Sequence, residues 1–317
     1  MPLSIGASQQ TMPEQTPAGE LQVWSEDAGS LEATWTDPDG NLWQLTNPGD
    51  EIGWFTAAGL AGWGATPIEI ITDPLARGGE EVRFIRAHPR RLTWPLHIFG
   101  ETHLEFVRRY RNLLGAFART TYRQAPGILR VARPDGWQAA REIACFYEDG
   151  FGGDAGDGWL SASPVLTLMC PDGYWRATEP IVSQYRYTTG RPFLNPYPSL
   201  SSSRVLGDVT IVNPGDIDAW PTWVITGPAT AFTATNPQAG GGFTIVYPLG
   251  VGEMITITTD RPTIRGPGDS NLAGALNWPG AMLWPVLSGA NHVTLEVAGA
   301  DDGTSVVLSF QPRYETA

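Results

Sequence analysis

Thr102-His103-Leu104-Glu105-Phe106-Val107-Arg108-Arg109-Tyr110-Arg111-Asn112-Leu113-Leu114-Gly115-Ala116-Phe117-Ala118-Arg119 is the stretch that breaks the rhythm of an otherwise strand-like sequence. Leu104, Phe106, Val107, Tyr110, Leu113, Leu114 and Phe117 recur at spacings of three and four, while Arg108, Arg109 and Arg111 fall mostly on the other side. That period is an amphipathic helix over residues 102–119. Thr102 and Glu105 form the Thr-x-x-Glu pattern of a capping box, in which each side chain satisfies a free backbone N–H at the helix start. A single apolar stripe of this kind belongs against a sheet.

Working outward, the flanks supply that sheet. Residues 21–46 alternate apolar and polar around the turn Asp37-Pro38-Asp39-Gly40, and residues 68–72, 81–87 and 91–99 continue with β-branched and aromatic side chains. After the helix, residues 127–133 and 137–147 flank Pro134-Asp135-Gly136, a hairpin signal, and residues 159–170 read as one long strand. Residues 190–204 carry Pro192, Pro196, Pro198 and four serines without periodicity, which reads as a linker. Beyond it, residues 208–212, 222–226, 231–235, 243–247, 254–259, 293–297 and 305–310 are short strands at the spacing of an antiparallel sandwich. No period of 20–50 residues repeats, against a solenoid or propeller.

Length and composition agree. The 317 residues suffice for two domains, and 37 Gly with 27 Pro suit tight turns between strands. The expected division is a loose N-terminal arm (1–20), a β-rich domain with one helix (21–190), a linker (191–205) and a β-sandwich (206–317). No apolar run reaches the roughly 18 residues of a membrane span, and residues 1–20 lack a signal-peptide pattern, so neither membrane insertion nor classical secretion is expected. Cys145 and Cys170 lie within apolar strand-like runs and are expected as buried free thiols.

Charge is unevenly spread. The net charge is −13 and every basic residue is Arg. Residues 1–76 hold 11 acids and no base, whereas residues 77–133 hold 12 Arg against 4 acids. The acidic total argues against specific nucleic-acid binding. The two windows are expected either to pair within one domain or to face a neighbouring subunit and set the register of an assembly.

Chemistry is sparse. His88, His97, His103 and His292 show no metal-ligand spacing. The absence of Lys removes the phosphate-loop cation and Schiff-base chemistry, and no nucleophile elbow occurs. Gly152-Gly153-Asp154-Ala155-Gly156-Asp157-Gly158 lacks the spacing of a calcium loop and reads as a turn. Glu148 and Asp149 form an adjacent pair of the kind chance supplies among 33 acids. No cofactor or catalysis is expected. Among the 13 Trp, Trp278 and Trp284 sit near C-terminal loops where an indole face can stack on a sugar, although core packing is the ordinary role of Trp.

The order of these features resembles a distal tail protein of long, non-contractile-tailed bacteriophages. The helix, the following Gly127-Ile128-Leu129-Arg130-Val131-Ala132-Arg133-Pro134-Asp135-Gly136 hairpin and Cys170-Pro171-Asp172-Gly173-Tyr174-Trp175 look like that family's ring-forming domain. Val212-Asn213-Pro214-Gly215, Pro221-Thr222-Trp223-Val224-Ile225-Thr226-Gly227, Leu287-Ser288-Gly289-Ala290-Asn291 and Pro312-Arg313-Tyr314 are similar to its galectin-like sandwich. Residues 1–20 and 178–204 fall outside the match. The resemblance implies a mainly β, two-domain virion protein at the tail tip, assembled in the host cytoplasm. It implies a homo-hexameric ring joining the tail tube protein to the tail-tip hub, with the tape measure protein a further partner and DNA passing through. The alternative reading is a carbohydrate-binding or host-receptor-binding module; a glycoside hydrolase would need two cooperating carboxylates.

Overall fold

The computed structural model describes residues 31–46, 53–133, 140–152, 158–187, 204–205 and 207–317. The arm at 1–20, the 21–30 part of the first strand pattern, the Pro134-Asp135-Gly136 turn, residues 153–157 of the Gly-Asp loop and most of the 191–205 linker lie outside them. The chain is mainly β, with one α-helix among the described residues.

The helix runs His103–Arg123. Its Thr102 Oγ1 accepts from the Glu105 N–H at 3.2 Å, but Glu105 reaches back to the N–H of Glu101 at 2.9 Å rather than to that of Thr102. Phe106, Leu113, Ala116, Phe117 and Thr120 are buried. Leu104, counted into the stripe by its spacing, is 60% exposed, because it lies two positions, about 200° around the helix, from Phe106. The helix ends four residues later than Arg119, at Arg123, and is capped by Gln124, which adopts a left-handed φ of 51° and donates its N–H to Thr121 O. Thr120, Thr121, Tyr122 and Arg123 extend the helix without an apolar period to announce it.

The helix lies against a ten-stranded sheet whose main path runs Leu42–Gln44, Glu32–Thr36, Gly127–Ala132, Arg141–Asp149, Val165–Cys170, Arg90–Phe99, Trp54–Thr56. Alternation along these strands sends Trp35, Leu129, Val131, Ile143, Leu92, Trp94, Leu166 and Leu168 into one core with Leu113 and Phe117. Trp35 stacks on Phe117 at 4.8 Å and donates its indole N–H to Ala116 O at 3.3 Å. The long strand expected over 159–170 is two, Ser161–Ala162 and Val165–Cys170, since Pro164 between them has no N–H to give a ladder.

A second core gathers Trp223, Phe232, Phe243, Trp284, Ile257 and Leu308. Its two sheets are a four-stranded one, Gly207–Asn213, Gly289–Ala298, Ala229–Asn236, Gly241–Leu249, and a six-stranded one, Arg204–Val205, Ile181–Arg186, Ser305–Phe310, Thr222–Thr226, Met254–Thr258, Thr263–Arg265. Ile181–Arg186, inside the 21–190 span of the sequence reading, therefore pairs antiparallel with Ser305–Phe310 and sends Tyr185 into this second core. In the other direction, Arg313–Tyr314 pairs with Trp175–Ala177 of the first sheet. The chain thus crosses between the units twice. Pro and Ser content marked residues 190–204 as a break, but the sheets divide before Ile181.

Candidate functional site

Ile68–Pro74 and Glu80–Ala87 form a two-stranded sheet that pairs with no other strand among the described residues. The turn between them closes with Leu75 N–H to Gly79 O at 3.0 Å, and Gly78 and Gly79 hold φ of 89° and 84°, values that favour glycine. Directly opposed residues of an antiparallel pair share a face. The register sets Ile68 against Ala87 and Ile70 against Ile85, so this end of one face is apolar, while Thr72, which donates its hydroxyl to the Glu80 carboxylate at 2.7 Å, continues the same face toward the turn. The other carries the Glu69–Arg86 ion pair at 2.6 Å beside Ile71 and Phe84. Ile70 is 57% and Ile85 60% exposed. The sequence reading found both strands but not this arm. Its signal was the adjacent pair Ile70-Ile71, which puts apolar side chains on both faces of one strand.

The two tryptophans singled out for glycan contact separate. Trp284 is fully buried; its ring lies edge-to-face on Trp223 at 5.3 Å and its Nε1 donates to Ala234 O at 3.1 Å. It is a core residue, because its segment turns inward beneath the strand Ala229–Asn236, and no sugar reaches it. Trp278 is 63% exposed and walls a groove of about 330 Å³ shared with Thr263, Arg265, Asn271, Leu276 and Leu283.

The remaining candidates do not converge. Glu148 is held in a bidentate pair by Arg91, at 2.7 and 3.0 Å, and those hydrogen bonds lower its carboxyl below the ordinary glutamate range. Asp149, its neighbour on the strand Arg141–Asp149 and so on the opposite face, accepts from the Gly150 N–H. His88, His97, His103 and His292 each have a different partner, respectively Pro89 O, Ser163, Trp159 O and Thr210. Cys145 and Cys170 are buried free thiols with their sulfurs 3.0 Å apart, and burial together with the Cys170 contact pushes the Cys145 thiol well up. The acidic and Arg-rich windows pair within the first unit: Arg119 with Asp37 and Asp39, Arg123 with Asp39, Arg83 with Asp73.

One residue was missed altogether. Arg90 is buried and donates to Gly173 O, Gly62 O, Gly64 O, Thr66 Oγ1 and Glu315 O, at 2.6–2.8 Å. Burial lowers its pKa, and five acceptors saturate the guanidinium.

No protein-family model and no curated protein matches the chain. Solved structures do. The Dit protein of phage SPP1, described as a paradigm of the hub adsorption apparatus in phages that infect Gram-positive bacteria, aligns over 90% of this chain and 99% of its own at 12% identity, with a TM-score of 0.63. The chain has the Dit fold. A chain of the phage p2 baseplate in its activated conformation with strontium aligns over 91% of this chain and 100% of its own, at 14% identity and a TM-score of 0.51. The corresponding baseplate with calcium gives 12% identity and 0.50 over the same shares.

Proposed function

We propose that this chain is a structural protein of a phage tail tip: a distal tail ring, without catalytic turnover, that joins the tail tube to the hub beneath it. The observation that carries the reading is the Ile68–Ala87 arm. An isolated two-stranded hairpin is marginal in water, and one that also presents Ile68, Ile70 and Ile85 to solvent needs a partner surface. An arm that lays its apolar face on a different surface of the next copy makes a head-to-tail contact, and such contacts close into rings when the rotation permits. The likeness to the SPP1 Dit protein and to a chain of the phage p2 baseplate supports a phage tail tip as the setting. Six copies, with a galectin-like C-terminal sandwich turned outward and the tube, hub and tape measure proteins as neighbours, complete the proposal. The acidic total of −13 suits a channel through which DNA passes without adhering.

Native mass measurement and negative-stain imaging of the pure protein, alone and with the tail tube protein, test this. A six-membered annulus is expected. A species that stays monomeric at every concentration and ignores the tube protein overturns it.

A further inference from the structure

The groove beside Trp278 has the composition of a saccharide site, and nothing in the ring reading requires it. Its volume of about 330 Å³ is within the range of small-ligand pockets, roughly 300–1,000 Å³. Trp278 donates its Nε1–H to Ala273 O at 3.0 Å, so the polar edge of the indole is satisfied inside the protein and a broad face stays in solvent. The segment that carries it is pinned to the strand Gly241–Leu249. Asn277 N–H donates to Thr244 O at 3.0 Å and Met282 N–H to Gly242 O at 2.9 Å, while Thr244 N–H donates to Asn277 Oδ1 at 2.8 Å. An aromatic plate fixed in this way loses little freedom when a ligand lies on it.

The other lining residues decide the ligand. Thr263, Arg265 and Asn271 bring a hydroxyl, a guanidinium and a carboxamide to the same groove as Leu276 and Leu283. A pyranose ring offers the matching pair of surfaces, an apolar C–H face for the indole and a rim of hydroxyls for the polar groups. Arg265 is already balanced: its Nε lies 3.7 Å from Asp269 Oδ1 and its Nη1 donates to Asp269 O at 3.3 Å. Residues 207–317 hold ten acids against three Arg, a field that repels phosphate-bearing polymers. We propose that the Trp278 groove binds a neutral oligosaccharide.

The test titrates chitohexaose and maltohexaose, then an array of neutral bacterial glycans, into the full-length protein, following tryptophan fluorescence and heat of binding, with a poly(glycerol phosphate) teichoic acid as the anionic comparison. Oligomer mass is recorded in the same samples, so failure of sugar binding and failure of ring assembly are read separately. Saturable binding of a neutral glycan is expected, weakened about tenfold or more by Trp278→Ala, less by Trp278→Phe, and weakened also by Asn271→Ala. Three results overturn the proposal: no saturable binding of any neutral glycan at millimolar concentration, binding unchanged in folded Trp278→Ala and Asn271→Ala proteins, or preference for the teichoic acid.

Discussion

Arg90 donates through Nη2 to the backbone carbonyl of Glu315 at 2.8 Å, a contact spanning 225 positions of sequence. It fastens the strand Arg90–Phe99 of the first sheet to the segment that returns from the sandwich. Glu315 answers with its carboxylate, which accepts from the Thr66 N–H at 2.8 Å. Replacing Arg90 with Met leaves several buried carbonyls unpaired, and such groups cost roughly 1–3 kcal/mol each. The variant is expected to lose about 3 kcal/mol or more in urea unfolding followed by Trp fluorescence. Arg90→Lys, with three donors on a point charge in place of a five-donor fork, recovers only part of that loss.

Asp37 sets an acid limit on the first unit. Burial alone raises its carboxyl, but hydrogen bonds from Asn41, Arg119 and Trp43 outweigh it and bring the value to about 2, against 3.8 when free. A depressed carboxyl stabilises fully above its unfolded value and loses that contribution as pH falls through the folded one. Stability is therefore expected to drop by about 2 kcal/mol between pH 4 and 2. Asp37→Asn should remove this step from an unfolding-versus-pH profile while lowering stability at pH 7.

Charging the apolar face of the arm separates assembly from folding. The double variant Ile70→Asp/Ile85→Lys changes exposed positions and sets opposite charges across the pair, so its melting temperature as a monomer should stay within a few degrees of the parent. Its oligomer, by mass photometry, should fall apart at concentrations where the parent is closed. A variant that assembles normally means the arm is not the contact.

The two sandwich tryptophans should diverge in stability. Trp284→Ala empties a fully buried site and is expected to cost roughly 3–5 kcal/mol. Trp278→Ala, mostly exposed but losing the Nε1–H bond to Ala273 O, should cost only about 1 kcal/mol by the same denaturant titration.

The thiols give a simple probe. Cys145 and Cys170 are buried and Cys145 is held protonated by its surroundings, so an aromatic disulfide reagent should titrate neither in the native protein and both in guanidinium. Fast labelling of the native state would show that this core opens.

Much of this fold is legible in local pattern. Thr222–Thr226 and Ser305–Phe310 have the bounds that alternation gives them, and Thr102 caps the helix as its spacing requires. Legibility fails where a side chain's fate depends on distant chain. Trp278 and Trp284 are six residues apart in like surroundings, yet the roof that buries one of them is Ala229–Asn236. The strand Ile181–Arg186 looks like the tail of the first unit until Ser305–Phe310 arrives beside it. Arg90 is one of 12 Arg in its window, and its acceptors are backbone carbonyls, which leave no trace in residue type.

The double crossing between the units has a mechanical meaning. A single tether acts as a swivel, but here the passage before Ile181 and the passage after Phe310 lie side by side, joined by Gln311 Nε2 to Ala177 O at 3.3 Å and by Arg313 to Asp172 at 2.8 Å. Twisting the sandwich about either passage strains the other. A pull on the sandwich is then delivered as torque to the helix-backed sheet instead of being dissipated in a loose joint.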